Sequence, residues 1–219
     1  MKKTLTIAGA VLISASAFAQ TVSSANIVGY SKKDMTIGGT IIATPQFPAA
    51  DTNGVTLADA FSGLESGDKA YAWNGLNYTI YTYYGSYGWY DGSNVSSDDV
   101  LITQGTAVWL QAVASTNVIM SGDVPSASSV TNTLAAGLNL IGNAYPVALK
   151  LDDISGSGIA SGDKVYAWDG SSYAIYTYYG SYGWYDGSNN PSGTVEIGVG
   201  DGFWLKSALG GEMVMDKAY

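Results

Sequence analysis

The sequence contains no cysteine, no histidine and no arginine among its 219 residues. Without cysteine, the chain has no disulfide, no thiolate nucleophile and no zinc–thiolate site. Without histidine, it lacks the general base of the common hydrolytic triads and the most frequent metal ligand. Without arginine, it lacks the planar fork that binds phosphate and carboxylate groups at two points. These absences predict a protein that is not an enzyme and that carries no cofactor.

Positive charge is also scarce, because 9 lysines stand against 18 acidic residues and the formal net charge is −9. Nucleic-acid binding depends on basic side chains that neutralise phosphates, so we expect no nucleic-acid partner. The abundant residues are 28 glycines and 17 tyrosines, together with six tryptophans. This composition is typical of β-structure and favours binding or assembly over catalysis.

The first 19 residues have the three parts of a secretory signal peptide. Lys2 and Lys3 form a basic start, residues 4–17 are mostly small and apolar, and Ala17 and Ala19 give the small-x-small cleavage pattern. We therefore predict a signal peptide at 1–19 and a mature protein that is secreted, either extracellular or at the cell surface. No membrane span is expected after the leader is removed.

An internal duplication organises the rest of the chain. Residues 68–94 and 163–189 are related by an offset of 95 and are identical at 22 of 27 positions. Upstream, residues 41–48 resemble residues 140–146 with one gap, which pairs Ile41 with Leu140. We predict two domains, at 20–121 and 122–219, joined by a polar stretch at 121–129. The same offset pairs all six tryptophans: Trp73 with Trp168, Trp89 with Trp184, and Trp109 with Trp204.

Short aromatic and apolar runs between Gly, Asp, Asn and Ser turns predict β-strands. The dipeptides Asn74-Gly75 and Asp169-Gly170 predict two-residue hairpins with type I′ turns. Helical turns are expected only at 57–64 and 148–154. The fold class is therefore all-β, with two tandem homologous small β-sandwich or barrel-like domains. The predicted strands are 40–43, 69–73, 78–83, 89–90, 107–112 and 118–120 in the first repeat, and 138–141, 164–168, 173–178, 184–185, 202–206 and 213–215 in the second.

Four motifs of the second repeat follow one another at 137–146, 166–170, 183–184 and 199–204. They read as a Gly-x-Asn-Leu-Ile start, a Tyr-x-Trp-Asp-Gly hairpin, a Gly-Trp segment and a Val-Gly-x-Gly-Phe-Trp strand. This order resembles the tandem β-repeat domains of exported proteins from Gram-negative bacteria, many of them Verrucomicrobia. The first repeat departs from the pattern at 38–40 and 105–109. The resemblance implies an exported all-β fold and no established activity.

The segment from 78 to 90 is aromatic on both faces of its predicted strand, since alternate residues of a strand point to opposite sides. A strand that covers one small core should have one polar face, so the second face should pack on the other repeat, on another subunit or on a ligand. The predicted assembly or ligand surface comprises Tyr78, Tyr81, Tyr83, Tyr84, Tyr87, Trp89 and Tyr90, with Tyr173, Tyr176, Tyr178, Tyr179, Tyr182, Trp184 and Tyr185 in the second repeat.

Three interpretations of this surface stay open: two ordinary cores with a seam between the domains, contacts with further copies of the chain, or stacking against sugars. The leading hypothesis is a non-catalytic extracellular structural protein, a self-assembling filament or surface-layer subunit whose partner is itself. The alternative is a secreted carbohydrate-binding or adhesive module. In that alternative, Tyr81, Tyr83, Trp89 and their counterparts stack against glycans.

A strand-like segment precedes the first repeat. It either pairs within its own chain or adds to a sheet edge of a neighbouring molecule, because strand addition needs only main-chain hydrogen bonds. The residues of this candidate exchanged strand are Asn26, Ile27, Val28, Gly29 and Tyr30.

Carboxylates are the remaining candidates for chemistry. None of the three glutamates has a glutamate at the equivalent position of the other repeat, which gives no duplicated acid pair for glycoside hydrolysis. The duplicated aspartates Asp68 and Asp163 lie in turns, where we expect them to cap backbone groups. Asp91 and Asp186 share that expectation and are weak calcium candidates, so no firm metal site is predicted.

Overall fold

The computed structural model describes residues 28–43, 54–123, 125 and 127–217. The predicted signal peptide, Asn26 and Ile27 lie outside these residues. The described chain is built from β-strands with a few short helical turns, so the predicted all-β class is confirmed.

The first repeat forms a five-stranded antiparallel sheet and two smaller sheets. The large sheet has the order β2-β8-β4-β5-β6, while β1 pairs with β9 and β3 pairs with β7. The helical elements are α1 (Leu57–Ala60) and a 3-10 turn (Gly85–Tyr87). The strands are β1 (Val28–Met35), β2 (Thr40–Ala43), β3 (Val55–Thr56), β4 (Lys69–Trp73), β5 (Tyr78–Tyr83), β6 (Trp89–Asp91), β7 (Leu101–Ile102), β8 (Val108–Gln111) and β9 (Thr116–Asp123).

The second repeat has an equivalent architecture. Its large sheet has the order β11-β18-β14-β15-β16, beside a sheet β10-β19-β13 and the pair β12–β17. Two 3-10 turns lie at Leu151–Asp153 and Gly180–Tyr182. The strands are β10 (Ser129–Leu134), β11 (Gly137–Gly142), β12 (Leu149–Lys150), β13 (Ile154–Ser155), β14 (Lys164–Trp168), β15 (Tyr173–Tyr178), β16 (Trp184–Asp186), β17 (Glu196–Ile197), β18 (Gly202–Ser207) and β19 (Gly211–Asp216).

Each repeat buries its own core between the large sheet and the smaller strands. In the first repeat, Trp89 and Leu110 of the large sheet belong to one buried cluster with Met120 of β9. In the second repeat, Trp184 and Met215 hold the equivalent places. A fully buried side chain of this size contributes about 1.5–3 kcal/mol through removal of apolar area from water. Both repeats therefore have a core of their own.

Two buried aspartates connect the loop before the central hairpin to the end of the neighbouring strand. Asp68 accepts hydrogen bonds from the N–H groups of Glu65 and Val113, both at 2.8 Å. Asp163 accepts from Ala160 at 2.7 Å and from Ala208 at 2.8 Å. These bonds give part-buried backbone donors a buried carboxylate as acceptor. The predicted capping role of these duplicated aspartates is confirmed.

The prediction of two-residue type I′ hairpins is wrong. A four-residue loop, 74–77, joins β4 to β5, and the Asn74 carboxamide oxygen accepts hydrogen bonds from Leu76 N at 3.0 Å and Asn77 N at 2.8 Å. Type I′ needs a positive φ at both central residues, but in this loop only Gly75, with φ of 96°, has one. The side-chain cap of Asn74 fixes the turn instead.

The strand register also corrects the sequence alignment upstream of the identical segment. Ile42 lies opposite Trp109 in the first repeat, and Leu140 lies opposite Trp204 in the second. Leu140 therefore corresponds to Ile42 and not to Ile41. A one-residue shift matters because it moves every side chain of a strand to the other face.

The ends of the domains are strands of different sheets. β9 continues to Asp123, past the predicted boundary, and β10 begins at Ser129. β1 pairs with β9 over eight residues, so that Val28 and Tyr30 lie opposite Asp123 and Ser121 of the same chain. The described part of the candidate exchanged strand is thus paired within the molecule, and exchange between molecules stays a prediction.

Replacing the buried carboxylate Asp163 with alanine should lower the free energy of unfolding by about 3 kcal/mol, because two part-buried N–H groups lose a charged acceptor. Asp99→Ala, at an exposed aspartate, is the control and should change stability by less than about 0.5 kcal/mol. Urea unfolding followed by tryptophan fluorescence measures both values. Equal losses in the two variants would show that Asp163 has no special structural role.

Candidate functional site

The six tryptophans divide into two structural groups. Trp89 and Trp184 are buried in the cores of their repeats. The other four lie on the face of each large sheet that turns away from its own core, where the repeats meet. We call this contact the seam; it contains Ile42, Trp73, Ala107, Trp109, Leu140, Tyr166, Trp168 and Trp204.

The contacts of the seam are reciprocal. The ring centroids of Trp73 and Trp204 lie 5.3 Å apart, and those of the equivalent pair, Trp168 and Trp109, lie 5.2 Å apart. Trp73 Nε1 donates a hydrogen bond to the carbonyl oxygen of Leu138 at 2.9 Å. The equivalent bond runs from Trp168 Nε1 to Thr40 at 3.1 Å. Such exchange of equivalent partners defines an isologous contact, so a pseudo-two-fold axis relates the repeats.

Main-chain contacts follow the same symmetry. Antiparallel bridges join Ala43 to Asp201 and, at the equivalent place, Ile141 to Thr106. One ion pair also crosses the seam, between Lys33 Nζ and Asp201 Oδ1 at 2.8 Å. Both side chains are partly exposed, so this pair contributes about 1 kcal/mol or less. Ring packing and main-chain hydrogen bonds therefore provide most of the contact between the repeats.

Tyr78 and Tyr173 lie on either side of the pseudo-two-fold axis. Tyr78 packs with its ring centroid 6.1 Å from that of Trp204, and Tyr173 packs 6.3 Å from Trp109. Burial raises the pKa of both phenols, and the neighbouring Tyr173 raises the pKa of Tyr78 further. Both hydroxyl groups therefore stay protonated near neutral pH. At the start of the aromatic segment 78–90, and at its counterpart in the second repeat, the face that turns away from the core therefore packs on the other repeat.

A cavity of about 510 Å³ opens at the seam beside these two tyrosines. Its aromatic walls stand at steep angles, since the rings of Trp73 and Trp204 are inclined by 87° and those of Tyr78 and Trp204 by 76°. We call this cavity the seam groove. It is lined by Trp73, Tyr78, Leu138, Tyr166, Tyr173, Trp204 and Lys206.

Six residues of the predicted surface lie instead against the cores. Trp89 and Trp184 are each only 1% exposed. Tyr83 packs on Trp89, with 5.3 Å between the ring centroids. These positions alternate with the outward-facing residues of the strand, so they turn towards the core. The prediction that they form an outer surface is wrong for Trp89 and Trp184, while Tyr81, Tyr83, Tyr176 and Tyr178 are half-buried against the cores.

At the far end of each large sheet, another group of side chains is open to solvent. Tyr87 is 76% exposed and Tyr182 is 78% exposed. Tyr84 and Tyr90 meet edge to face at 5.8 Å, and their counterparts meet at 5.7 Å. We call these groups the outer patches. They comprise Ile80, Tyr84, Tyr87 and Tyr90 in the first repeat and Ile175, Tyr179, Tyr182 and Tyr185 in the second.

The sheet edges beside the outer patches are already hydrogen-bonded. In the first repeat, Ser97 N donates to the carbonyl oxygen of Trp89 at 2.8 Å, and Asp91 N donates to Val95 at 3.0 Å. The equivalent bond in the second repeat joins Ser192 N to the carbonyl oxygen of β16 residue Trp184 at 2.7 Å. A partner at either patch would therefore contact side chains and not extend the sheet.

The calcium candidates Asp91 and Asp186 act in turns. Asp91 Oδ1 accepts hydrogen bonds from Ser93 N and Val95 N, both at 2.9 Å. Asp186 Oδ1 accepts hydrogen bonds from Ser188 N at 2.9 Å and from Asn190 N at 2.8 Å. The backbone hydrogen bond from Asn190 is the main reason that the pKa of Asp186 is lowered. Among the described residues, no group of three or more acidic side chains is arranged to hold a metal ion.

Sequence reasoning missed the tryptophans of the seam as contact residues, although it paired them by the repeat offset. Alternation along β4 places Trp73 and Tyr71 on one face, and the hairpin register sets Trp73 opposite Tyr78. That face is therefore aromatic across two strands, a pattern from which a contact surface could have been predicted. The place of Lys206 beside Leu138 depends on non-local pairing, which the sequence does not reveal.

Comparison of the chain with protein-family models, with curated proteins and with solved structures found no match. Within the described ranges, no helix has the length and apolar character needed to cross a membrane.

Replacing Trp204 with alanine should lower the free energy of unfolding by about 3–5 kcal/mol, because this large seam residue is only 7% exposed. It should also divide one thermal transition into two, since the repeats lose much of their coupling. Differential scanning calorimetry measures both effects, with Ile37→Ala at an exposed site as the control. A single, equally cooperative transition in the Trp204 variant would contradict the role assigned to the seam.

Proposed function

We propose that this chain is a non-catalytic extracellular structural protein, a filament or surface-layer subunit that assembles with further copies of itself through its outer patches. The observation that carries the proposal is the presence of the same exposed tyrosine group on both repeats. The two patches match in composition and exposure, while the seam between the repeats is already occupied.

The number of patches per molecule determines the product of assembly. A self-complementary patch that occurs once gives a closed dimer. Two such patches on one rigid molecule allow each copy to bind two neighbours, so contacts continue from molecule to molecule. The pseudo-two-fold seam supports this geometry because it covers one end of each large sheet and leaves the tyrosine groups at the other end exposed.

Tyrosine suits such a contact. Each ring buries about 150–250 Å² while its hydroxyl group keeps a hydrogen bond to water or to a partner. Tyrosine is also enriched in the centres of protein interfaces. Acidic residues outnumber lysines in the chain, and this negative charge opposes unspecific clustering of the subunits, so association would depend on the patches.

Export fits the same role. The proposed signal peptide would direct the chain out of the cell, and the absence of cysteine leaves packing as its source of stability. Glycan binding through Tyr81, Tyr83 and Trp89 is less well supported, because these side chains pack against the core of the first repeat. Any sugar site would need a different surface.

The proposal predicts that purified protein without the leader, residues 20–219, forms regular fibres without added ligand. Tyr87→Ser should leave one functional patch per molecule and stop growth at dimers. Tyr87→Ser combined with Tyr182→Ser should give monomers, because both patches are lost. Negative-stain electron microscopy and light scattering after size-exclusion chromatography measure these products.

Leu209→Ser is the matched control, since Leu209 is 80% exposed but lies outside the outer patches. This variant should form the same fibres as the unchanged protein. A protein that stays monomeric at high concentration, or fibres that persist in the double tyrosine variant, would overturn the proposal.

A further inference from the structure

Two lysines lie side by side on the outer face of the second repeat. Lys164 of β14 and Lys206 of β18 are direct cross-strand partners. Like charges in such positions repel each other and destabilise the sheet. Among the described residues, Lys33 and Asp201 form an ion pair, but neither Lys164 nor Lys206 is paired with an acidic side chain. An anion bound beside them would relieve the repulsion.

The first repeat avoids this arrangement. Its lysine at the equivalent place, Lys69, lies opposite Gln111. The Tyr71 hydroxyl group donates a hydrogen bond to Gln111 Oε1 at 2.8 Å, which occupies the side chain. The two repeats are otherwise closely matched on this face, so the lysine pair is a specific difference of the second repeat.

The lysine pair borders the seam groove, because Lys206 is one of its lining residues. The groove has the size of a small-molecule site and combines aromatic walls with few polar groups. Among the described residues that line the groove, Lys206 is the only charged one. The protonated hydroxyl groups of Tyr78 and Tyr173 can donate or accept hydrogen bonds without repelling an anion.

The shape of the groove indicates which anion fits. The contacting rings of Trp73, Tyr78 and Trp204 stand at 66–87° to one another, so these three rings offer angled walls and not a pair of parallel faces for a flat aromatic ligand. The main-chain groups of β14 and β18 are engaged in the sheet, which leaves none for a peptide strand. A pyranose ring offers C–H groups on both faces and hydroxyl groups around its rim, which suits angled aromatic walls and tyrosine hydroxyls.

We propose that the seam groove binds an acidic sugar, with the pyranose ring against Tyr78, Tyr173 and Trp204, and with its carboxylate on Lys206. The site takes uronic acid residues of a polysaccharide. The groove shares no lining residue with the outer patches, and Tyr84 of the first patch lies six residues, or about 20 Å, along the chain from Tyr78. The inference therefore does not rest on self-assembly.

The test uses the Tyr87→Ser and Tyr182→Ser double variant, together with the unchanged chain, so that binding is measured with and without intact outer patches. Galacturonic acid trimer is the probe, and binding is followed by tryptophan fluorescence and by isothermal titration calorimetry. Both proteins should bind the trimer equally, and raising the salt concentration should weaken binding. A neutral galactose trimer should bind at least about tenfold more weakly, because it lacks the charge-assisted contact.

Lys206→Gln copies the residue of the first repeat and should weaken uronate binding about tenfold while leaving neutral-sugar binding unchanged. Lys69→Gln, at the equivalent of Lys164 in the first repeat, is the control and should bind as the unchanged chain does. Absence of uronate binding at millimolar concentration, equal binding of both trimers, or unchanged affinity in Lys206→Gln would each overturn the inference.

Discussion

The reciprocal packing of four tryptophans across the seam is the contact on which the rest of the molecule depends. Trp73 meets Trp204, and Trp109 meets Trp168, with nearly equal separations. Each repeat already has its own core, so this contact does not fold the repeats but fixes how they face each other. It also removes from water the aromatic face that two isolated small sandwiches would leave open, and it creates the groove at its margin.

The seam divides the tyrosine-rich segment of each repeat into two ends with different surroundings. One end, at Tyr78 and Tyr173, is used within the molecule, whereas the other end, at Tyr87 and Tyr182, faces solvent. The duplicated sequence thus provides both an interface between the repeats and two copies of a second, exposed surface. A pseudo-symmetric pair of outer surfaces is a simple route to a molecule with two equal binding faces.

Local pattern predicted much of the fold. The strands at 40–43, 69–73, 78–83, 164–168 and 173–178 match the observed bounds, because dense β-branched and aromatic residues end at clear Gly and Asn turns. The tyrosines of the outer patches were included in the predicted surface, but Ile80 and Ile175 were not. The burial of Trp89 was not predicted, because a segment with aromatic residues on both faces does not show which face turns towards the core. The seam groove was missed since its walls come from segments far apart in sequence.

The most direct test of the account is to map which tyrosines touch a neighbouring molecule. Fibres grown from equal amounts of unlabelled and ¹⁵N-labelled protein would be oxidised to link adjacent tyrosines, and mixed-label peptides would be identified by mass spectrometry. The account predicts mixed-label links at Tyr84, Tyr87 and their counterparts, with Tyr78 and Tyr173 linked only within one molecule. Mixed-label links centred on Tyr78 and Tyr173 would show that the seam forms between molecules, which contradicts the account.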